Sequence, residues 1–302
     1  MKNHPNRRQF ITGAVGSAIA AQPILFRNAA AQGKVVRNSG TSIKLALNSY
    51  SFNAPLSAGE MDLFDVVDFC ASQNLNALDA TGYYFPGYPK VPGDDYIHAL
   101  KKKAFLNGIT INGTGVRNNF AVPDADQRSK DVQLVKDWII VAQKLGAGII
   151  RIFDGLNIPD GYTFEQVLEW MVPNIQECVE FGKAHGVMVG LQNHNGFAKT
   201  ADQVIQIVNA VNSDWFGVKL DIGSLRVHDA YEEIAKLLPY AISWQLKEHV
   251  WFGDDEVPVD LSRIKKIIDR GGYRGFLPIE TLGKGDLRVK VTTFLEKVRQ
   301  YF

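Results

Sequence analysis

A buried apolar stretch in the middle of the chain ends abruptly in polar residues. Residues 187–191, VMVGL, have the composition of a strand that is covered on both faces, and the polar run QNHN follows at 192–195. Amide and imidazole side chains donate and accept hydrogen bonds, and His194 can also exchange protons near neutral pH. In α/β proteins such side chains usually carry out chemistry at the carboxyl end of a parallel strand. This stretch therefore predicts one part of a functional site.

Other predicted strands end in polar residues as well. In chain order these residues are Asn48 and Tyr50, Asp79, Thr114 and Arg117, Arg151 and Asp154, Gln192 and His194, Asp221, Gln245 with Lys247 and Glu248, and Glu280. Some have structural alternatives, because Asp221 can cap a following helix, Glu280 can pair with Lys247, and Arg151 can bridge to Asp154. Such roles do not readily explain polar residues at so many successive strand ends. The pattern predicts a shared site if the ends meet.

Eight predicted strands alternate with helical stretches. The strands are residues 43–48, 77–81, 109–115, 148–153, 187–192, 217–221, 242–247 and 276–280. Helical spacing is found at 61–73, 95–107, 124–145, 163–185, 200–211, 230–238, 261–271 and 287–299. Strand–helix alternation indicates right-handed βαβ units and a parallel sheet, and eight units in about 260 residues match a single α/β domain with the (β/α)₈ TIM-barrel fold. An open doubly wound sheet is the alternative, but no glycine-rich loop follows the first strand.

The first 31 residues resemble a twin-arginine export signal. Residues 6–11 read NRRQFI, a modest apolar run follows to Leu25, and Ala29–Ala31 offers a small-residue cleavage site. The apolar run is too short and too weak to span a membrane stably. The resemblance implies a bacterial periplasmic protein with a signal peptide at 1–31, a short leader at 32–42 and a barrel at 43–302. It also implies export in the folded state, often with a cofactor already bound.

The composition favours an enzyme that acts on small molecules. Four of the 33 basic residues and none of the 32 acidic ones lie in residues 1–31, which leaves 29 basic against 32 acidic residues and a net charge of −3. A body without excess positive charge argues against a nucleic-acid partner. Cys70 and Cys178 lie in apolar helical patterns, which predicts buried structural thiols rather than a disulfide framework.

The last four strands carry a family resemblance. The segments GVMVGLQNHNG, GVKLDIGSL, ISWQLKEH and YRGFLPIETLG, which contain strands five to eight, resemble the xylose isomerase-like TIM barrels, also called the sugar phosphate isomerase/epimerase superfamily. The resemblance implies a divalent metal held by a Glu, an Asp, a His and a Glu, one from each strand. In this chain the four positions are occupied by Gln192, Asp221, Gln245 and Glu280.

Two of these four positions depart from the family pattern. Gln192 replaces a Glu and Gln245 replaces a His, so the predicted donor set consists of two carboxylates and two amide oxygens. Oxygen donors favour Mn²⁺, Mg²⁺ or Ca²⁺ over Zn²⁺, which prefers His or Cys. His194 lies two residues past Gln192 and can supply an imidazole on the same strand face.

The replacement of Gln192 also changes the expected reaction. Epimerases of this family use two glutamates on opposite faces of the substrate, and an amide cannot accept the proton, so only Glu280 remains as a base. The pattern favours one-base chemistry beside a carbonyl, either isomerisation through an enediol or β-elimination from a keto-sugar. Lys247 and Arg151 are predicted to stabilise negative charge, and His194 to act as an acid or base.

Aromatic residues near the strand ends predict a carbohydrate ligand, because sugar C–H faces stack on aromatic rings. The predicted substrate contacts are Tyr50, Tyr83, Arg117 and Trp251. The leading hypothesis is a periplasmic, metal-assisted sugar isomerase or epimerase-like enzyme. A lyase on a keto-sugar or keto-glycoside and a non-catalytic carbohydrate-binding barrel are the alternatives. The nuclease branch of the superfamily needs more His and Glu ligands than these strand ends offer.

Overall fold

The computed structural model describes residues 33–37 and 40–302. The predicted signal peptide at 1–31, including its twin-arginine motif, lies outside the described residues and stays a prediction. Among the helices of the described segments, none is both long and apolar enough to cross a membrane.

Eight parallel strands of the described residues close into a barrel. They are β1 (Ser42–Asn48), β2 (Ala77–Thr81), β3 (Thr110–Gly115), β4 (Ile149–Ile152), β5 (Met188–Gln192), β6 (Phe216–Asp221), β7 (Ala241–Lys247) and, after a two-stranded hairpin, β10 (Arg274–Glu280). Each strand pairs with its neighbours in chain order, and β10 closes the barrel between β7 and β1. The predicted (β/α)₈ TIM barrel is confirmed, and all eight carboxyl ends therefore lie on one rim.

Helices follow the strands and cover the outside of the barrel. Their bounds are α1 (Asn53–Ala58), α2 (Leu63–Ser72), α3 (Asp94–Leu106), α4 (Ala125–Leu145), α5 (Phe164–Ala184), α6 (Ala201–Val211), α7 (Ala230–Leu237), α8 (Leu261–Gly271) and α9 (Leu287–Arg299). Thr163 caps the start of α5, because its side chain accepts a hydrogen bond from the backbone N–H of Gln166. Asp124 caps α4 in the same way. These caps fix where the rim loops end and the helices begin.

The core fills the barrel and the space beneath the helices. Strands such as β2 and β6 are buried along their whole length, as expected when a parallel sheet is covered on both faces. Cys70 and Cys178 are buried free thiols, as predicted, and burial raises the pKa of Cys178 to about 12. Both residues contribute to packing.

Two elements of the fold were not predicted from the sequence, and one of them is the short helix α1 between β1 and α2. An antiparallel hairpin, β8 (His249–Phe252) and β9 (Asp255–Pro258), follows β7 in a segment for which no element was predicted. Pro278 lies inside β10, where it is paired with Ala46 of β1. It is accommodated because the ladder of β10 with β7 begins only at Ile279, so the missing N–H of the proline interrupts no pairing there.

Candidate active site

The carboxyl ends of the strands surround an open cavity of about 650 Å³. Its lining includes the four predicted catalytic residues, which are Arg151, His194, Lys247 and Glu280. Gln192 and Gln245 also face it, whereas Asp221 lies fully buried at the end of β6. The barrel therefore brings the predicted strand-end residues together, as its topology requires.

Lys247 lies between two carboxylates. Its Nζ is 3.1 Å from Asp221 Oδ2 and 3.1 Å from Glu280 Oε1, and the side chain is only 12% exposed. Glu280 and Lys247 are register partners on neighbouring strands, so the pairing follows directly from the sheet. Burial alone would lower the pKa of Lys247, but the two carboxylates raise it above its ordinary value. The side chain is therefore a permanent ammonium near neutral pH.

Asp221 is held by a nearly complete set of donors. Its Oδ2 accepts hydrogen bonds from Gln192 Nε2 at 2.7 Å and Ser224 Oγ at 2.9 Å, in addition to the contact with Lys247. Its Oδ1 accepts from the backbone N–H of Gly223 at 3.0 Å, which is the capping role weighed for this residue. A carboxylate oxygen offers about two acceptor positions, so Oδ2 with its three donors is fully engaged, whereas Oδ1 has one donor.

Glu280 is less completely engaged than Asp221. Its Oε1 contacts Lys247 and its Oε2 accepts a hydrogen bond from Gln245 Nε2. Two acceptor positions remain, and the residue lines the cavity. Burial raises the pKa of Glu280, while Lys247 opposes that shift. The result is a buried carboxylate of enhanced basicity that faces the ligand space.

A second buried ion pair lies inside the barrel. Lys219 on β6 contacts Asp79 on β2, and Asn48 Nδ2 donates to the same Asp79 oxygen at 3.1 Å. Strands β2 and β6 are opposite each other in the barrel order, so this pair spans the interior. Sequence analysis named Asp79 and Asn48 as strand-end residues but missed Lys219.

Arg151, Tyr83 and Arg117 form one side of the cavity. The Tyr83 hydroxyl accepts a hydrogen bond from Arg151 Nη2 at 2.5 Å, and the Arg117 guanidinium lies 4.2 Å from the centre of the Tyr83 ring. Arg151 also donates to the carbonyl of Val116, and does not bridge to Asp154 as the structural alternative required. Tyr50 lines the same cavity. Two cations and two aromatic rings therefore face the ligand space.

His194 lies at the cavity with one ring face against Phe153, at a centroid distance of 4.8 Å. Partial burial lowers the pKa of His194, and Lys247 and Arg151 add to this effect against the opposing charge of Asp221. The imidazole is therefore neutral near pH 7 and can accept or transfer a proton.

Trp251 lies apart from the other predicted substrate contacts. It belongs to β8 and lines a smaller neighbouring cavity, where Arg226 covers its ring at 3.9 Å from the centroid. The main cavity contains residues that the sequence analysis missed, namely Asn118, Asn119, Gln127 and Asp131. The two asparagines directly follow Arg117, so their position in the same rim loop was the available signal.

Asp154 ties two rim loops together. Its carboxylate accepts hydrogen bonds from the backbone N–H groups of Ala198 at 2.8 Å and Gly155 at 2.7 Å. Burial raises the pKa of Asp154 from its ordinary 3.8 to about 7, against the effect of these N–H donors. The loops after β4 and β5 are therefore joined through a carboxylate that is hard to ionise.

We expect this carboxylate to make stability depend on pH. The pKa of Asp154 is raised in the folded state, so the folded protein holds this proton more tightly than the unfolded chain does. The stabilisation that protonated Asp154 provides is therefore lost as pH rises from about 4 to 7. The free energy of unfolding of the wild type should fall over this range, relative to Asp154→Asn, by at most about 1.4 kcal/mol per pH unit. Urea unfolding of both proteins at pH 5, 6, 7 and 8 measures this difference in the free energy of unfolding. Parallel curves for the two proteins would contradict the expectation.

The family model described as xylose isomerase-like TIM barrel matches residues 64–297. The chain belongs to this family. No functionally curated protein matches the sequence. Similar solved xylose isomerase-like barrels include D-psicose 3-epimerase with D-tagatose from Clostridium cellulolyticum H10, at 19% identity and a TM-score of 0.71, covering 85% of this chain and 99% of that one.

Two further solved structures show the range of proteins on this fold. IOLI protein with a bound zinc atom has 17% identity and a TM-score of 0.69, covering 86% of this chain and 99% of that one. The probable 3-DHS dehydratase AsbF of Bacillus anthracis has 15% identity and a TM-score of 0.65, covering 85% and 98%. At these identities the similarity establishes the shared barrel.

The four predicted metal ligands of this xylose isomerase-like barrel do not present a fitting donor set. Both glutamines direct their N–H groups, not their oxygens, at the carboxylates, and the ammonium of Lys247 lies between Asp221 and Glu280. Within residues 33–37 and 40–302, no cluster of three or more His, Cys, Asp or Glu side chains is arranged to hold a metal ion. The divalent metal expected from the family pattern stays a prediction that this geometry does not support.

Proposed function

We propose that the protein is a sugar-modifying enzyme that removes a proton from the carbon beside a carbonyl group. One observation carries this proposal. Glu280 lines the cavity with acceptor positions to spare, and the Lys247 ammonium is 3.1 Å from its carboxylate. A base beside a fixed cation is what enolate formation requires, because the proton leaves as negative charge develops on the carbonyl oxygen.

The two charged residues have distinct roles. Glu280 takes the proton from carbon. Lys247 has three N–H donors, of which two are directed at Asp221 and Glu280, and the third is available to the carbonyl oxygen of the substrate. Asp221 holds the ammonium in place and keeps it charged, because its negative charge favours the protonated lysine.

His194 and Gln245 complete the reacting side of the cavity. His194 is neutral near pH 7 and can transfer a proton to or from a substrate oxygen. Gln245 Oε1 is buried and has no hydrogen-bond partner among the described residues. A sugar hydroxyl that donates to this oxygen would satisfy it, which favours a hydroxylated substrate.

With Glu280 as the single base, two of the reactions considered are favoured, namely isomerisation and β-elimination. Gln192 cannot accept a proton, and its Nε2 is directed at Asp221. Return of the proton to the neighbouring carbon gives an isomer. Loss of an oxygen substituent from the β-carbon, which leaves with the proton that Glu280 has taken from carbon, gives an unsaturated keto-sugar, and this lyase reaction is the second candidate because it needs only one base on carbon.

The class of substrate is supported by the cavity and by similar structures. Tyr50 and Tyr83 offer aromatic surface, and Arg117 and Arg151 offer cationic donors. Similar barrels include a psicose epimerase with a bound ketose and a probable dehydratase. The export-like segment at 1–31 supports a periplasmic location, which we include in the proposal.

Solvent exchange tests the proposed reaction directly. The wild type is incubated in D₂O with D-fructose, D-tagatose and a panel of 3-keto-glycosides, and NMR follows the hydrogen beside each carbonyl. We expect deuterium incorporation with at least one compound. A new ketose or aldose identifies an isomerase, and an ultraviolet-absorbing unsaturated ketone identifies a lyase. Sugar binding by calorimetry without exchange would instead identify a non-catalytic carbohydrate-binding barrel.

A further inference from the structure

We propose that the Lys247 ammonium is the built-in cation of this site and that the protein uses no resident divalent metal there. The inference concerns the same cavity as the proposed function, and its consequence for turnover rests on that function. The occupancy of the site by metal can be tested without any substrate. Four observations support the inference.

The first observation is the set of donors around Asp221, three of which lie on Oδ2 and one on Oδ1. Four protein donors, from Gln192, Ser224, Gly223 and Lys247, lie within 3.1 Å of its two oxygens, and the residue is fully buried. A metal ligand needs a free lone pair directed at the ion. Oδ2 could bind an ion only by giving up one of its three donors, and each displaced donor would then need a new partner.

The second observation is the direction of the two amides. Each glutamine donates to a carboxylate, which accepts hydrogen bonds and cannot donate them when ionised. Turning either amide would place its oxygen against that carboxylate and create repulsion. Gln245 Oε1 is left as a single free oxygen. Besides this oxygen, the free acceptor positions of Glu280 belong to a carboxylate that already contacts the Lys247 ammonium, so the protein offers few of the oxygen donors that Ca²⁺ or Mg²⁺ takes.

The third observation is charge balance. The barrel strands carry six charged side chains that are buried or nearly so: the carboxylates of Asp79, Asp221 and Glu280 and the cations of Arg151, Lys219 and Lys247. Their charges sum to zero without any ion. A divalent cation would add two uncompensated positive charges to a low-dielectric interior, where such charges are strongly disfavoured.

The fourth observation is the close packing of the Lys247 side chain against Gly223. Gly223 lies beside the aliphatic part of Lys247, and a Cβ added to this glycine would be 2.5 Å from Lys247 Cδ. A side chain at position 223 would therefore push the lysine out of its place. The loop after β6 leaves room for this side chain, so the position of the ammonium is set by packing as well as by charge.

The experiment measures metal binding to the full chain. The protein is purified without a metal-affinity step and its metal content is measured by elemental analysis. Mn²⁺ is then titrated into the protein, and binding is followed by calorimetry and by the loss of the electron paramagnetic resonance signal of free Mn²⁺. We expect less than about a tenth of an equivalent of metal as purified and no saturable Mn²⁺ binding in the wild type, because Lys247 fills the site. One tightly held equivalent that is lost in Asp221→Asn would overturn the inference.

A designed variant tests where the cation lies. Gln192→Glu, Gln245→His and Lys247→Met together supply two ligands and remove the ammonium, and we expect this triple variant to bind one Mn²⁺ roughly 100-fold tighter than the double variant that keeps Lys247. The matched control carries the first two changes and keeps Lys247, and it should bind much more weakly. A folded triple variant that binds no better than this control would contradict the placement of the ammonium. If the triple variant does not fold, the wild-type titration decides alone.

The outcome is separable from that of the proposed function. A wild type that holds no metal and shows no deuterium exchange contradicts the proposed reaction and leaves this inference standing. A wild type that holds one metal and exchanges deuterium contradicts this inference and leaves the proposed reaction standing. Where exchange is found, a chelator should leave its rate unchanged.

Discussion

Glu280→Gln is expected to lose proton-transfer activity by a factor of roughly 10²–10⁴, the usual contribution of a general base. The variant keeps the shape of the side chain and its contact surface, but the amide cannot take a proton from carbon. Lys247 still pairs with Asp221, at 3.1 Å, so the ammonium remains in place. Deuterium exchange into an active keto-sugar measures the loss, and sugar binding by calorimetry shows that the cavity is intact.

The matched control for this variant is Glu180→Gln on the outer face of α5. Glu180 is exposed and is not part of the cavity, so the control removes a carboxylate without touching the site. We expect its exchange rate to match that of the wild type. If Glu280→Gln keeps its activity to within a few-fold of the control, the base is another residue, and His194 is the next to test because it also lines the cavity.

The barrel and the meeting of the strand ends could be predicted because both follow from periodicity and topology. Eight strand–helix units fix a closed parallel sheet, and closure alone brings Gln192 on β5 and Glu280 on β10 to one rim. The bounds of the elements differ from the prediction by a residue or two, since helix and strand ends depend on caps and local hydrogen bonds. The hairpin of β8 and β9 was not predicted because each of its strands has only four residues and neither alternates apolar with polar side chains.

The arrangement within the site could not be predicted from residue types. The sequence shows that Gln192 and Gln245 carry both an oxygen and an N–H group, but which of them is directed inward depends on the neighbouring charges. Lys247 was expected to stabilise negative charge, and its pairing with Glu280 was one alternative. Its position between two carboxylates emerges only from the register of β7 with β6 and β10. Trp251 could not be placed because the hairpin carries it away from the cavity.

Lys219 illustrates a signal that was present but overlooked. In the segment GVKLD a lysine precedes Asp221 by two residues, and side chains two apart on a strand share one face. If Asp221 faces the interior of the barrel, Lys219 must do so too. A buried lysine needs a partner of opposite charge, and among the named strand-end residues Asp79 on the opposite strand supplies it.

Lys219→Met is expected to lower the free energy of unfolding by about 3–5 kcal/mol, because it leaves the buried Asp79 without its partner cation. Asn48 still donates to Asp79 at 3.1 Å, but one neutral donor does not compensate a charge in the interior. Urea unfolding at pH 7, followed by circular dichroism, measures the change. Lys297→Met, at an exposed position of α9, is the matched control and should shift the value by less than about 0.5 kcal/mol.

The double variant Lys219→Met with Asp79→Leu separates loss of charge pairing from loss of packing. Replacing both partners by apolar side chains removes the unpaired charge, and buried pairs exchanged in this way are often no less stable than the original. We therefore expect the double variant to be more stable than Lys219→Met alone, although it lacks two native side chains. A double variant that is less stable than the single one would show that the pair is needed for packing inside the barrel and not for charge balance. Asp79 and Lys219 could then no longer be counted as compensating charges in the balance around Lys247 that disfavours a divalent cation.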